Sequence, residues 1–210
     1  MENNSKVINK LASSLNRRDE VPNQELAKEI VLAQDKKAVK ELVAHLSNTK
    51  AIQNDCIKVL YEIGNQDPKL IANYIDEFVL HLKSKNNRLQ WGAMTALGTI
   101  TSEKPKEIYN HLPAILEASD KGSVITKDHA VGILIKLCAL ENYAENTFPL
   151  LLEHLLKSAP NQLPMYAERA IPIINDKNKG LFVKTLTSRL NDLEKESKRK
   201  RVEKVIKKYQ

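Results

Sequence analysis

A small residue followed four and seven positions later by large aliphatic ones recurs along this chain every 37 residues. That period limits the fold more than any other feature. Cys56, Ala93, Ala130 and Ala167 stand 37 apart, and so do Leu60, Leu97, Leu134 and Ile171. Ile63, Ile100, Leu137 and Ile174 keep the same step, as do Ile52, Leu89, Thr126 and Leu163 four residues before the anchors. Positions i, i+4 and i+7 share one face of a helix. The small residue lets a neighbouring helix backbone come close, and the aliphatic pair fills the space beyond. The helix before each anchor repeats too: Phe78, Ile115 and Leu152 are 37 apart, with Leu42 an earlier counterpart at 36. Pro68 and Pro105 suit first helical turns, where a missing N–H costs nothing, and Asp67 suits an N-cap.

Helix pairs at this period cannot bury their apolar faces alone and must stack on their neighbours. The pattern therefore predicts an all-α chain of about five to six helical hairpins. The best copy, Leu89 to Ile100 (LQWGAMTALGTI), resembles the Val-Arg-x-x-Ala-x-x-Ala-Leu-Gly-x-Leu second helix of the HEAT-repeat family, within the armadillo-type superhelices. The resemblance spans roughly residues 35 to 175. It implies a right-handed α-α superhelix, a solenoid, with a tendency to bind partners. The family's arginine is here Gln90, with Gln53, Lys127 and Pro164 at the equivalent positions, so the usual Asp–Arg ladder between repeats lacks its arginine.

The expected organisation is one continuous domain, residues 1–210: an N-terminal capping pair over 1–34, regular repeats over 35–175 and a basic C-terminal capping pair over 176–210. Ser119–Ser123 and Ser158–Asn161 have the composition of inter-helix corners, and Pro172 should kink or end the helix it sits in. Only 6 glycines and 8 prolines leave little room for long loops. The amino-terminal stretch MENNSKVINKLASSL has no apolar run, which argues against a signal peptide. Cys56 and Cys138 sit in repeat registers as small buried hydrophobes rather than as a disulfide or metal pair, which favours a cytoplasmic setting. No membrane span is expected.

The net charge of +7 is concentrated at one end. Residues 194–210 hold 8 Lys or Arg against 3 Glu, leaving a nearly neutral body. A groove that clamped nucleic acid would carry charge along its length.

Four groups of residues invite function. His45, His81 and His154 recur at repeat spacing, but equivalent positions in successive repeats lie ~8–10 Å apart, too far to share a zinc ion. No metal or other cofactor is expected. Second-helix positions facing away from the core place Lys58, Trp91, Thr95, Asp128 and Arg169 on one concave surface, where a lone tryptophan among mixed charges could anchor a protein partner. By resemblance to the HEAT-like alkylpurine DNA glycosylases, Trp91, Asp128 and Arg169 could instead hold a damaged nucleotide. That alternative reading meets few aromatics and a single Trp. The run Lys198-Arg199-Lys200-Arg201 could contact nucleic acid or another anion, although Val202, Val205, Ile206 and Tyr209 follow at helical spacing and would pack it as a closing helix. No phosphate loop, nucleophile elbow, Cys-x-x-Cys pair or His-Glu-x-x-His helix occurs. The leading expectation is a non-enzymatic scaffold.

Overall fold

The computed structural model describes residues 7–210. These residues form twelve α-helices and six short 3-10 turns, with no strand among them. The backbone divides into two compact units, a first that ends at Ala130 and a second over Val131–Gln210.

The first unit holds α1 (Val21–Ala33), α2 (Lys36–Ala44), α3 (Lys50–Gln66), α4 (Ile75–His81), α5 (Asn87–Ile100), α6 (Pro105–Asn110), α7 (Leu112–Lys121) and the start of α8 (Val124–Cys138). Helix α3 packs between α1 and α5, while α2 and α4 back onto α3 and α5. The second unit holds the rest of α8, then α9 (Glu141–Lys157), α10 (Leu163–Ala170), α11 (Lys179–Ser188) and α12 (Glu196–Lys207). There α9 contacts α10 and α11, and α12 closes onto α10 and α11.

The helix boundaries follow from local chemistry. The Asp35 carboxylate accepts from the Lys37 and Ala38 amides, satisfying two donors that the first turn of α2 leaves open. Asp67 accepts from the Lys69 amide just before the 3-10 turn Pro68–Leu70. Asn86 accepts from the Arg88 amide at the start of α5, and its own amide donates to Gln53 and Asn54 on α3. One side chain thus starts a helix and ties it to its neighbour. Helix α1 ends on Gln34 at φ 51°, a left-handed residue whose amide returns to Ile30 and Val31. Helix α10 stops at Ala170, one residue ahead of Ile171–Ile173, the 3-10 turn that contains Pro172.

The repeat anchors all lie in the core: Cys56, Ala93, Ala130 and Ala167 are fully buried, as are Leu60, Leu97, Leu134, Ile63, Ile100 and Leu137. The last copies, Ile171 and Ile174, are only half-buried, because helix α10 has ended before them. The first-helix register also slips. Leu152 is half-buried while Leu151 and Leu155 fill the core, a change of one position in a helix that carries Pro149 in its interior. At the amino end, the Val7–Leu15 segment forms a 3-10 turn over Ile8–Lys10 rather than a helix, and Met1–Lys6 lie outside the described residues. Asn23 and Asp55 hold this segment down: the Ala12 amide donates to Asn23, and the Ser13 amide and the Asn23 side chain donate to Asp55. No described helix is long and apolar enough to cross a membrane.

Candidate functional site

Helices α3 and α5 of the first unit build a cluster that joins aromatic and ionic groups. Lys58 and Glu62 are four apart on α3 and therefore share a face; the ammonium lies 2.7 Å from Glu62 Oε1. It lies 2.9 Å from Glu20 Oε2 as well. Glu20 precedes α1, and its other oxygen pairs with Arg88 on α5. The result is a chain of alternating charge, Arg88–Glu20–Lys58–Glu62, that binds three helices together. The Lys58 side chain is only 8% exposed. Burial pulls its pKa down, but the bonds to Glu62, Glu20 and Tyr61 more than offset that and hold it above the ordinary lysine value.

The same ammonium sits 4.9 Å from the centre of the Tyr61 ring, within cation–π range. Tyr61 in turn meets Trp91 at 5.8 Å between ring centres, tilted by 45°. Burial raises the Tyr61 pKa, opposed by Lys58, so the phenol stays protonated. Trp91 is half-buried, with one flank against Tyr61. Thr95 donates its hydroxyl to the Trp91 carbonyl at 2.8 Å, one turn back on α5, so the proton of this buried residue is already committed. Arg88 Nε is buried without an acceptor, because Glu20 divides its two oxygens between two cations.

Lys58, Trp91 and Thr95 are thus brought together, with Glu20, Tyr61, Glu62 and Arg88 as the partners that the repeat pattern did not single out. Glu62 is visible in the sequence as an i+4 partner; Glu20 is 38 residues from Lys58 and carries no local signal. Asp128 is half-buried on α8 of the first unit. Arg169 belongs to the second unit, exposed on α10, and its Nη2 lies where a side chain on Gly132 would begin, 2.5 Å from an ideal Cβ. Lys136, one turn beyond Gly132, has its pKa lowered first by partial burial and then by the Arg169 charge.

In the basic run, Lys198 bonds Asn161, Arg199 lies 3.1 Å from Glu203, and Lys200 lies 3.4 Å from Glu196. Arg201 grips both oxygens of Glu168 on α10. Val202, Val205 and Ile206 are buried beneath, and Tyr209 donates to the Ile171 carbonyl at 2.9 Å. The run is the outer side of a packed closing helix.

Among the described residues no three of His, Cys, Asp and Glu converge as metal ligands. Burial is the first cause that raises the pKa of both thiols, and the Asp55 and Glu41 charges raise that of Cys56 further, so neither is an activated nucleophile. An open groove of about 400 Å³ on the first unit is lined by Val79, Leu82, Lys83, Gln90, Ala114 and Ala118, none of them in the predicted set.

No family model and no curated protein matches the chain. Solved structures do. The crystal structure of an engineered protein from the Northeast Structural Genomics Consortium aligns with a TM-score of 0.63 at 18% identity, covering 99% of this chain and 100% of that one. A second engineered protein from the same consortium aligns at 0.59 and 19%, covering 100% of this chain and 98% of the other. At this identity the likeness concerns the fold alone.

Proposed function

We propose that this chain is a HEAT-like α-solenoid scaffold that binds a protein partner through the second-helix surface around Trp91. The observation that carries the reading is the half-buried Trp91 ring braced on Tyr61, with Lys58, Glu20, Glu62 and Arg88 fixed around it. A rigid aromatic with one flank supported and one open loses little side-chain entropy on binding, and such residues dominate interface energetics. The fixed charges add orientation rather than net attraction, since two cations and two carboxylates balance.

The superhelix reading draws support from the 37-residue anchors falling in the core, and from the α1–α3–α5 layer backed by α2 and α4 in the first unit. Trp91 is the only tryptophan, so its fluorescence reports on this surface alone. The test is affinity capture with immobilised wild type and Trp91→Ala, followed by a fluorescence titration of wild type with the captured protein. Retention lost in the variant, with a spectral shift on titration, supports the reading. Equal capture by both removes Trp91 from the interface. Base release from alkylated DNA that vanishes in Asp128→Asn would replace the scaffold with the glycosylase alternative.

A further inference from the structure

The ion pairs of the second unit leave one helix face un-neutralised. Residues 131–210 hold 15 Lys or Arg against 9 Asp or Glu, whereas the preceding 130 hold 18 against 17. On α12 the core side is Val202, Val205 and Ile206. At 100° per residue the opposite side carries Lys200, Lys204, Lys207 and Lys208, all exposed. Lys200 has only an open 3.4 Å pair with Glu196, both side chains 70% exposed. Lys208 lies 5.6 Å over the ring of Tyr209. Lys204, Lys207 and Lys208 have no carboxylate within ion-pair distance among the described residues. Glu168 feels Lys204, but Arg201 already holds both its oxygens. The free charge of the tail is therefore not the run 198–201, three of whose members turn inward to Asn161, Glu203 and Glu168, but the lysines one to two turns beyond it.

We propose that this lysine face of α12 binds the phosphate backbone of duplex nucleic acid, without reading its sequence. The face offers no aromatic ring to stack a base, no apolar side chain to anchor a protein or enter a lipid layer, and no outward arginine fork for a paired carboxylate. What remains is a row of hydrated point charges, successive lysines rising about 6, 4.5 and 1.5 Å along the helix axis. A ligand held by point charge alone must itself carry dense, regular charge, and duplex DNA presents one charge per ≈1.7 Å of its axis. The site lies in the second unit and does not depend on Trp91.

The experiment is fluorescence anisotropy of a short labelled DNA duplex with the full chain across salt concentration. With four lysines engaged, the log–log slope should be about −3.6, a loss of about 150-fold in affinity between 50 and 200 mM salt. The triple variant Lys204→Gln/Lys207→Gln/Lys208→Gln should bring the slope to about −0.9, while Lys198→Gln and Trp91→Ala leave it unchanged. Circular dichroism establishes that the triple variant remains folded; should it not, each single Lys→Gln change should lower the slope by about 0.9. Absence of duplex binding at low salt overturns the proposal, as does a slope that the lysine changes leave intact. Binding to polyglutamate or to phosphatidylserine vesicles without binding to the duplex overturns it too, and hands the face to an acidic protein or a membrane surface.

Discussion

Glu20 sets the energetics of the aromatic cluster at the level of single residues. Its two oxygens serve two cations from different helices, so losing Lys58 does not simply delete one ion pair. It strips Glu62 of its partner and frees Glu20 to close on Arg88 Nε, the buried donor now without an acceptor. Lys58→Ala is predicted to cost about 1–3 kcal/mol, below the cost of breaking a fully buried pair because Glu20 is partly exposed. The pH dependence has a definite sign. A lysine whose folded pKa is raised contributes stability that is complete below its unfolded value near 10.4 and fades as pH climbs through the folded one. The difference in urea midpoint between wild type and Lys58→Ala should therefore stay flat from about pH 6 to about pH 9. A difference that shrinks inside that window would mean that Lys58 is not held charged by these carboxylates.

Helix contacts turn on two glycines that behave against their propensity. Gly→Ala within a helix ordinarily gains about 1 kcal/mol. On α3 a Cβ at Gly64 would stand 2.2 Å from Thr99 Oγ1 and 2.7 Å from Ile71 Cδ1; on α5 a Cβ at Gly92 would stand 2.7 Å from Ile57 Cγ1. Overpacking wins at such distances, and Gly64→Ala and Gly92→Ala should each lose about 1–3 kcal/mol in chemical denaturation. Combining Gly64→Ala with Thr99→Ala should recover part of the loss, since the hydroxyl is the nearer obstacle. In the second unit Arg189 plays the comparable part: 11% exposed, it donates to the carbonyls of Leu155, Leu156 and Ser158 at the end of α9. Arg189→Lys keeps the charge but cannot fork to three acceptors, and a loss of about 1–3 kcal/mol in thermal or urea unfolding is expected. The sequence made the anchors legible because a 37-residue step puts Ala93, Leu97 and Ile100 on one face wherever the helices pack. It hid what depends on distance along the chain. Gly64 against Thr99, Arg189 against Leu155 and Glu20 against Lys58 are each more than 30 residues apart. The basic tail is legible in the sequence as charge, but its division into Arg201 held by Glu168 and Lys204, beyond the run, left open requires the fold.

For the whole molecule, the question is how far a local loss travels. The chain forms two compact units, and the proposed stacking of hairpins makes stability a sum of nearest-neighbour terms. Leu97 is fully buried at the centre of the best repeat, so Leu97→Ala should cost about 2–5 kcal/mol by the methylenes removed and the cavity left. In a stack that cost is felt mainly by the helices in contact, α3, α4 and α5, and it decays along the chain. Hydrogen exchange followed by mass spectrometry on wild type and Leu97→Ala reads this directly. Protection should fall in peptides from Lys50 to Ile100 and be nearly unchanged in those from Lys179 to Lys207. The charge partition sharpens the contrast, since the half expected to keep its protection is also the half that bears the lysine face of α12. Leu97→Ala should therefore weaken the Trp91 surface while leaving the salt slope of duplex binding as in wild type. If α11 and α12 instead lose protection as fast as α5, the two units unfold as one cooperative body and the nearest-neighbour description fails.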